Sequence, residues 1–405
     1  MDTPIEGDHT AVYQDCQPVP MARFLRDVLI CSLGAYGGPE SHMSVFLDQM
    51  VIKRRYLTEQ ELIELIALCS ILPGPTSTQT IVSIGYKTGG PLRALLTMLV
   101  WALPVLIVMS ALSFLSGFLL NRGFSTDFLR FVGPMAIGFI IVAAIRIGRK
   151  VVTDAMTALL MIAAAAVTFF LRSPWVFPIV LIAGGAVSIV LSRERDIWNT
   201  AAIRPQWSYL IAFAALGVGG LVLSATTDVW LITLFESFYR YGYLVFGGGQ
   251  VIVPVMHTEL VAVNGYMTDA EFLTGYGLVQ GLPGPMFSFA AYAGGLAARD
   301  AGVATQLAAA AIGGTGIFLP GLLLIYFVYP LWDDLKKIRA IKIALRGINA
   351  VAGGLIAVAA VVLFTATDLR VDNLIVTAVA AGGLGFTKVP APLIVVAALG
   401  AGFVF

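Results

Sequence analysis

Apolar residues in this chain come in long runs, broken at a few places by glycine and proline. Residues 97–120 and 208–224 are nearly unbroken and fit helices, not the alternating pattern of a barrel strand. Four shorter runs open the chain, at about residues 22–34, 40–52, 58–71 and 76–87. Each is roughly 20 Å long as a helix, too short to span a bilayer. Gly37-Gly38-Pro39 separates the first two, and Pro73-Gly74-Pro75 the second two. The lengths predict two re-entrant hairpins whose tips meet near the midplane; full-length kinked helices are the alternative. Crossings are predicted at about 95–120, 130–147, 153–171, 174–192 and 207–225. The hairpin pattern then returns at 231–246, 249–262, 268–281 and 286–298. Crossings near 303–330, 340–365, 373–387 and 389–405 follow it, the last two short.

The return is a repeat at a constant offset of 210 residues. Leu72-Pro73-Gly74-Pro75 recurs as Leu282-Pro283-Gly284-Pro285, and Gly37-Gly38 as Gly247-Gly248. Val51, Tyr56, Thr58, Glu61, Leu68 and Gly85 match Val261, Tyr266, Thr268, Glu271, Leu278 and Gly295. Corresponding Gly/Pro-interrupted segments in two halves point to the binding site of a secondary transporter. The break exposes N–H and C=O groups that survive at membrane depth only if buried in protein or lining a cavity.

Composition agrees. The chain is 58% hydrophobic and 12% charged over 405 residues, with a mean hydropathy of +0.88. A soluble domain carries roughly twice that charged fraction. The net charge of +1 points to no nucleic-acid partner. Cys16, Cys31 and Cys69 are scattered and give no disulfide framework. His9, His42 and His257 are too dispersed for a metal site, and neither a metal nor another cofactor is expected. No phosphate-binding GxxxxGK[ST] loop appears, so transport would run on an ion or substrate gradient. Residues 1–20 are polar and unpatterned and read as a disordered tail, without the basic start and apolar core of a signal peptide.

Charge orients the two copies. Arg23, Arg26, Lys53, Arg54, Arg55, Lys87 and Arg93 flank the first hairpin pair and mark its opening as cytoplasmic. Arg146, Arg149, Lys150, Arg193, Arg195 and Arg204 mark later cytoplasmic ends. Val263-Asn264-Gly265 replaces Lys53-Arg54-Arg55 in the second copy, and basic residues return only at Lys336, Lys337, Arg339 and Lys342. Five crossings between the hairpin pairs would invert the second copy. The expected fold is an all-α polytopic membrane protein of two homologous inverted repeats, residues 21–205 and 206–405. Each repeat has Gly/Pro-broken helical hairpins plus transmembrane helices.

Candidate chemistry sits at the breaks. After Pro75 the chain reads Thr76-Ser77-Thr78-Gln79. A proline at a helix start loses only an N–H that would be unpaired, and the remaining first-turn donors carry the positive end of the dipole. With the hydroxyls they would hold an oxyanion without a lysine in the membrane. The second copy reads Met286-Phe287-Ser288-Phe289, where Ser288 stands opposite Thr78 and Gln280 adds an amide just before the break. The alternative is a plain kink with hydroxyls bonded to the preceding turn. Gly37-Gly38-Pro39 and Gly247-Gly248-Gly249 would let backbone approach a ligand, or equally let helices pack closely. Glu40, His42, His257 and Glu259 are candidates for a coupled proton, or polar contacts between hairpins. Thr58 and Glu61, like Thr268 and Glu271, have capping-box spacing and read as structural. Gly and Ala pairs would serve a homodimer interface and packing within one chain equally.

Tyr36-Gly-Gly-Pro39 with His42, Leu72-Pro-Gly-Pro75, Phe246-Gly-Gly-Gly249 with Pro254, and Gln280-Gly-Leu-Pro-Gly-Pro285 together resemble the chromate ion transporter family, in its two-domain, long-chain type. The likeness covers nearly the whole chain beyond the tail. Tyr36, Tyr56 and Tyr266 depart mildly from the phenylalanine and tryptophans usual there. The resemblance implies an inner-membrane protein that exports chromate and confers resistance to it, and not an enzyme. The residues themselves indicate a small tetrahedral oxyanion in a lipid bilayer. Chromate and sulfate are alike in shape and charge, so backbone donors would separate them poorly. A sulfate carrier or an anion channel stays open on the residues alone.

Overall fold

The structure is a computed structural model that describes residues 19–121, 127–171, 173–192, 205–246, 249–336, 338–368 and 370–404. The tail (apart from Val19 and Pro20), Arg193, Arg195, Arg204, Gly247, Gly248 and Lys337 therefore lie outside the described residues, as do the side chains of Pro39 and Glu40.

The first copy opens with α1 (Met21–Gly34) and α2 (Pro39–Phe46), which runs into a π-helical stretch, Leu47–Lys53. Next come α3 (Glu59–Ile71) and α4 (Thr76–Asn121). Gly89 and Gly90 leave helical geometry inside α4, dividing it into a short helix at 76–88 and a long one at 91–121. Three further helices follow: α5 (Val132–Val151), α6 (Ala155–Phe170) and α7 (Val176–Val190). Helix α8 (Trp207–Thr226) leads into the second copy.

There α9 (Trp230–Tyr243) matches α1. A 3₁₀ turn (Gly249–Ile252), α10 (Val253–His257) and a second π-helical stretch (Thr258–Val263) match α2 and its continuation. The α11 helix (Asp269–Gly281) lies 210 residues after α3 at both ends, and both have the predicted capping box on Thr58 or Thr268. A 3₁₀ turn (Met286–Ser288) and α12 (Phe289–Ala297) match 76–88. The series ends with α13 (Val303–Val328), α14 (Trp332–Leu335), α15 (Arg339–Ala366), α16 (Val371–Phe386) and α17 (Ala391–Val404). The fold is all-helical among the described residues, and every predicted segment is found within a few residues of its expected bounds.

Length and surface sort these helices. Five long stretches are apolar enough to cross a membrane: Thr76–Leu115, Asp127–Val151, Trp207–Thr226, Val303–Leu335 and Arg339–Ala366. Helices α1 and α9, at 14 residues, reach only about 21 Å, and α6, α7, α16 and α17, expected as crossings, are apolar but also short, at 14–16 residues. Outward faces are apolar: Ile211, Val218, Ile179, Ile182, Leu159 and Val379 are all exposed. Patches of this extent face lipid, not water. The two copies interlock. Helix α5 packs on α11, α15, α16 and α17, while α6 and α7 pack on α15.

Candidate functional site

The two Pro-Gly-Pro breaks are tied across the copies by an exchanged pair of bonds. Gly74 N–H donates to Val245 O at 2.8 Å, and Gly284 N–H donates to Ala35 O at 2.8 Å. Ala35 and Val245 are themselves equivalent positions, at the ends of α1 and α9. Each break is therefore tied to the end of the other copy's first hairpin helix, and the two breaks meet in one place. Gly74 and Gly284 have φ of +129° and +106°, a region that only glycine enters without strain.

Between the breaks is a cavity of about 20 Å³, walled by His42, Pro75, Thr76 and Ser77 from the first copy. Gly249, Pro285, Met286 and Phe287 wall it from the second. The volume has room for roughly one water. Helix 76–88 starts at this wall, so its first-turn N–H groups have no acceptor within the helix. The Gln79 N–H already bonds Pro75 O at 2.9 Å.

His42 is the polar side chain that supports a ligand most directly. It is 2% exposed, and its Nε2 has no partner although it lies in the cavity wall. Its Nδ1 is 3.0 Å from Ser77 Oγ. With Ser77 O–H donating to Nδ1, Nε2 carries the ring's proton and is an unpartnered donor on a residue of the cavity wall. Trp101, fully buried, meets His42 edge-on at 5.3 Å and holds the ring in place.

The remaining predicted site residues divide between the cavity and its supports. Thr78 is turned away from the cavity, and its Oγ1 accepts Trp101 Nε1–H at 3.1 Å. Gln79 folds back over the break and donates to Pro73 O at 2.9 Å. Gly37 and Gly38 form the left-handed turn before Pro39, outside the cavity wall. Pro283 and Gly284 shape the second break without lining the cavity, and Gln280 bonds Tyr276 instead. The Ser288 hydroxyl is buried and unpartnered, outside the cavity wall. His257 pairs through Nε2 with Asp269 at 2.6 Å. Glu259 is bound by Arg240 at 2.7 Å, and Arg240 also bonds Glu236 at 2.8 Å. No grouping of acidic, histidine and cysteine side chains suits a metal ion among the described residues.

Sequence reasoning passed over Trp101, Asp27, Gln49, Glu236 and Arg240. Four of them are polar groups inside short apolar helices, a signal that was present; Trp101 gave none, since large aromatics are common in any core.

The family described as chromate transporter matches residues 22–189 and again 232–403, leaving α8 between the two stretches. A chromate transport protein of Pseudomonas aeruginosa is 27% identical over 91% of this chain and 86% of its own length. A probable chromate transport protein of Synechococcus elongatus is 27% identical over 92% of this chain and 93% of its own. A chromate transport protein of Cupriavidus metallidurans is 26% identical over 98% of this chain and 95% of its own. No solved structure matches. A doubled family match on a doubled, break-centred helical fold places the chain in the chromate transporter family.

Proposed function

We propose that this protein exports chromate across the inner membrane by a gradient-driven, alternating mechanism, and so confers resistance to it. The carrying observation is the unpartnered Nε2 of His42 in a cavity between two broken helices. Thr76 and Ser77 supply backbone N–H donors, the helix start supplies a positive dipole end, and His42 supplies a fixed side-chain donor. Such a seat holds a tetrahedral oxyanion by hydrogen bonds without a lysine. Pro73, Gly74, Pro75, Pro283, Gly284 and Pro285 shape it, Gly249 lines it, and Gly37-Gly38 turn the chain toward His42.

A cavity with room for one water is shut to chromate, so the breaks must part to admit it. That suits a carrier better than a standing channel. The names of the relatives support chromate and transport over catalysis. Sulfate would compete, because the donors address shape and charge alone.

The two copies, taken as residues 21–205 and 206–405, are read as inverted. Three long helices (91–121, α5 and α8) and the shorter α6–α7 pair separate the hairpin sets; the number of crossings is odd whether that pair spans or re-enters, so the second set is reversed. Lys53-Arg54-Arg55 then faces the cytoplasm and Val263-Asn264-Gly265 the opposite side. Proteoliposome flux of chromate and of sulfate, with and without a pH gradient, tests the function. Gradient-dependent chromate flux is expected; gradient-independent, saturation-free flux would make the protein a channel. Cysteine labelling of Lys53–Arg55 and Asn264 tests orientation, and labelling of both from one side would overturn it.

A further inference from the structure

The two hairpins that carry the glycine turns are each closed by a buried ion pair, and the pairs run in opposite senses. In the first copy Asp27, on α1, is fully buried. It accepts from Gln49 Nε2 at 3.3 Å, Arg54 Nη2 at 2.9 Å and Tyr56 O–H at 2.6 Å. All three donors belong to the returning arm or its end. In the second copy the carboxylate that joins the two arms is Glu259, on the returning arm, while Glu236, on α9 itself, holds the same Arg240 at 2.8 Å. Glu259 accepts from Ser237 Oγ at 3.0 Å and from Arg240 Nη2 and Nη1 at 2.7 and 3.0 Å, both residues on α9.

The register makes this one contact built twice. Asp27 and Ser237 are equivalent at the offset of 210, and so are Gln49 and Glu259. The carboxylate has changed arms while the cross-arm hydrogen bond stayed. The arginine has changed arms as well: Arg54 corresponds to Asn264, and Arg240 to Ile30. Two charge-reversed solutions to one contact show that the link between the arms is what both copies need, not an acid at a fixed position. Ion pairs inside apolar helices add little net stability, yet losing one partner is costly. Their use must lie in what they hold.

We infer that Asp27 and Glu259 are positioning residues of the oxyanion seat, a reading that rests on the seat described under the proposed function. Two helical turns before Gln49 stands His42, and ten residues before Glu259 stands Gly249. Both line the cavity. On the opposite arms, α1 leads to Ala35 and α9 to Val245, the carbonyls that accept the exchanged Gly284 and Gly74 bonds. Fixing the arms to each other fixes the tip against the other copy's break.

The test moves the carboxylate without removing it. Glu259→Gln, the double variant Ser237→Asp/Glu259→Gln, and the mirror pair Asp27→Asn and Asp27→Ser/Gln49→Glu are reconstituted, with KM for chromate measured per folded, monodisperse protein. The single variants are expected to raise KM roughly tenfold or more, the loss of hydrogen bonds to a charged group. Each double variant is expected to restore KM to within about threefold, since the link is remade with the carboxylate on the other arm. Doubles no better than singles would overturn the inference, because the acid then acts at its own position. A fall in folded protein with KM unchanged would overturn it too, leaving a purely structural pair. Ser77→Ala measured alongside separates the readings. KM unmoved by Ser77→Ala removes the seat and the positioning role with it, whereas KM moved by Ser77→Ala but unrestored by both swaps removes the positioning role alone.

Discussion

The two Pro-Gly-Pro regions share a backbone and differ in nearly everything that could touch an anion. The first opens onto Thr76 and Ser77 with His42 opposite. At the equivalent positions the second has Met286, Phe287 and Ile252. Those three line an apolar cavity of about 10 Å³ together with Met256, Phe272 and Phe289. Trp101, which braces His42, has Ala311 as its counterpart. The second helix also starts as a 3₁₀ turn, so Ser288 N–H is already spent on Pro285 O at 3.0 Å. Fewer of its first-turn donors remain free. Duplication thus supplied two breaks, but the chemistry is concentrated in one, and the other serves as a wall. One seat per chain is therefore expected under the proposed function, asymmetric within a repeated frame.

The largest effects should fall where the copies are alike. Gly74→Val and Gly284→Val force a β-carbon onto positive-φ backbone, costing about 1–3 kcal/mol each. A β-carbon on Gly74 would also stand 2.6 Å from Gln79 Nε2, and one on Gly284 3.1 Å from Val105. Both variants should lose most transport and lower the unfolding temperature. A tolerant Gly284 with an intolerant Gly74 would extend the asymmetry to the backbone itself.

The next effect belongs to the first copy alone. His42→Phe keeps a ring edge against Trp101 but removes the Nε2–H donor and the acceptor for Ser77. Chromate affinity should fall roughly tenfold or more, with little change in stability. Ile252→Ala, at the equivalent position, should leave affinity nearly unchanged and act on stability instead, at about 2–5 kcal/mol for a truncated core residue. Equilibrium binding with parallel thermal unfolding would show both. Thr78→Ala should be milder in binding than His42→Phe. It strands Trp101 Nε1–H in the interior, costing about 1–3 kcal/mol of stability.

Much of this frame could be read from the chain, for a local reason. The interruptions are Gly/Pro clusters, Gly89-Gly90-Pro91 included, and the starts of α3 and α11 have their own Thr-x-x-Glu signal. Segment lengths then separate hairpins from crossings. The site was legible only in outline. Ser77 and Thr78 are adjacent in sequence, yet successive helical residues diverge by about 100°, so one faces the cavity and the other Trp101. The exchanged bonds from Gly74 and Gly284 join residues far apart in the chain and leave no sequence pattern. Asp27 and Glu259 escaped notice as a pair because the repeat preserves their contact and not their identity. The π-helical stretches after α2 and α10 likewise have no compositional mark.

The central claim, one seat built on the first break and walled by the second, rests most directly on the two helix-start serines. Equilibrium chromate binding to purified Ser77→Ala and Ser288→Ala, at equal folded amounts, puts it to the test. Ser77→Ala should weaken Kd by roughly 10- to 150-fold, because Ser77 lines the cavity and its hydroxyl bonds His42 Nδ1. Ser288→Ala should change Kd by less than about twofold, since its hydroxyl has no partner to lose. Equal losses in both, or wild-type affinity in Ser77→Ala, would contradict the account.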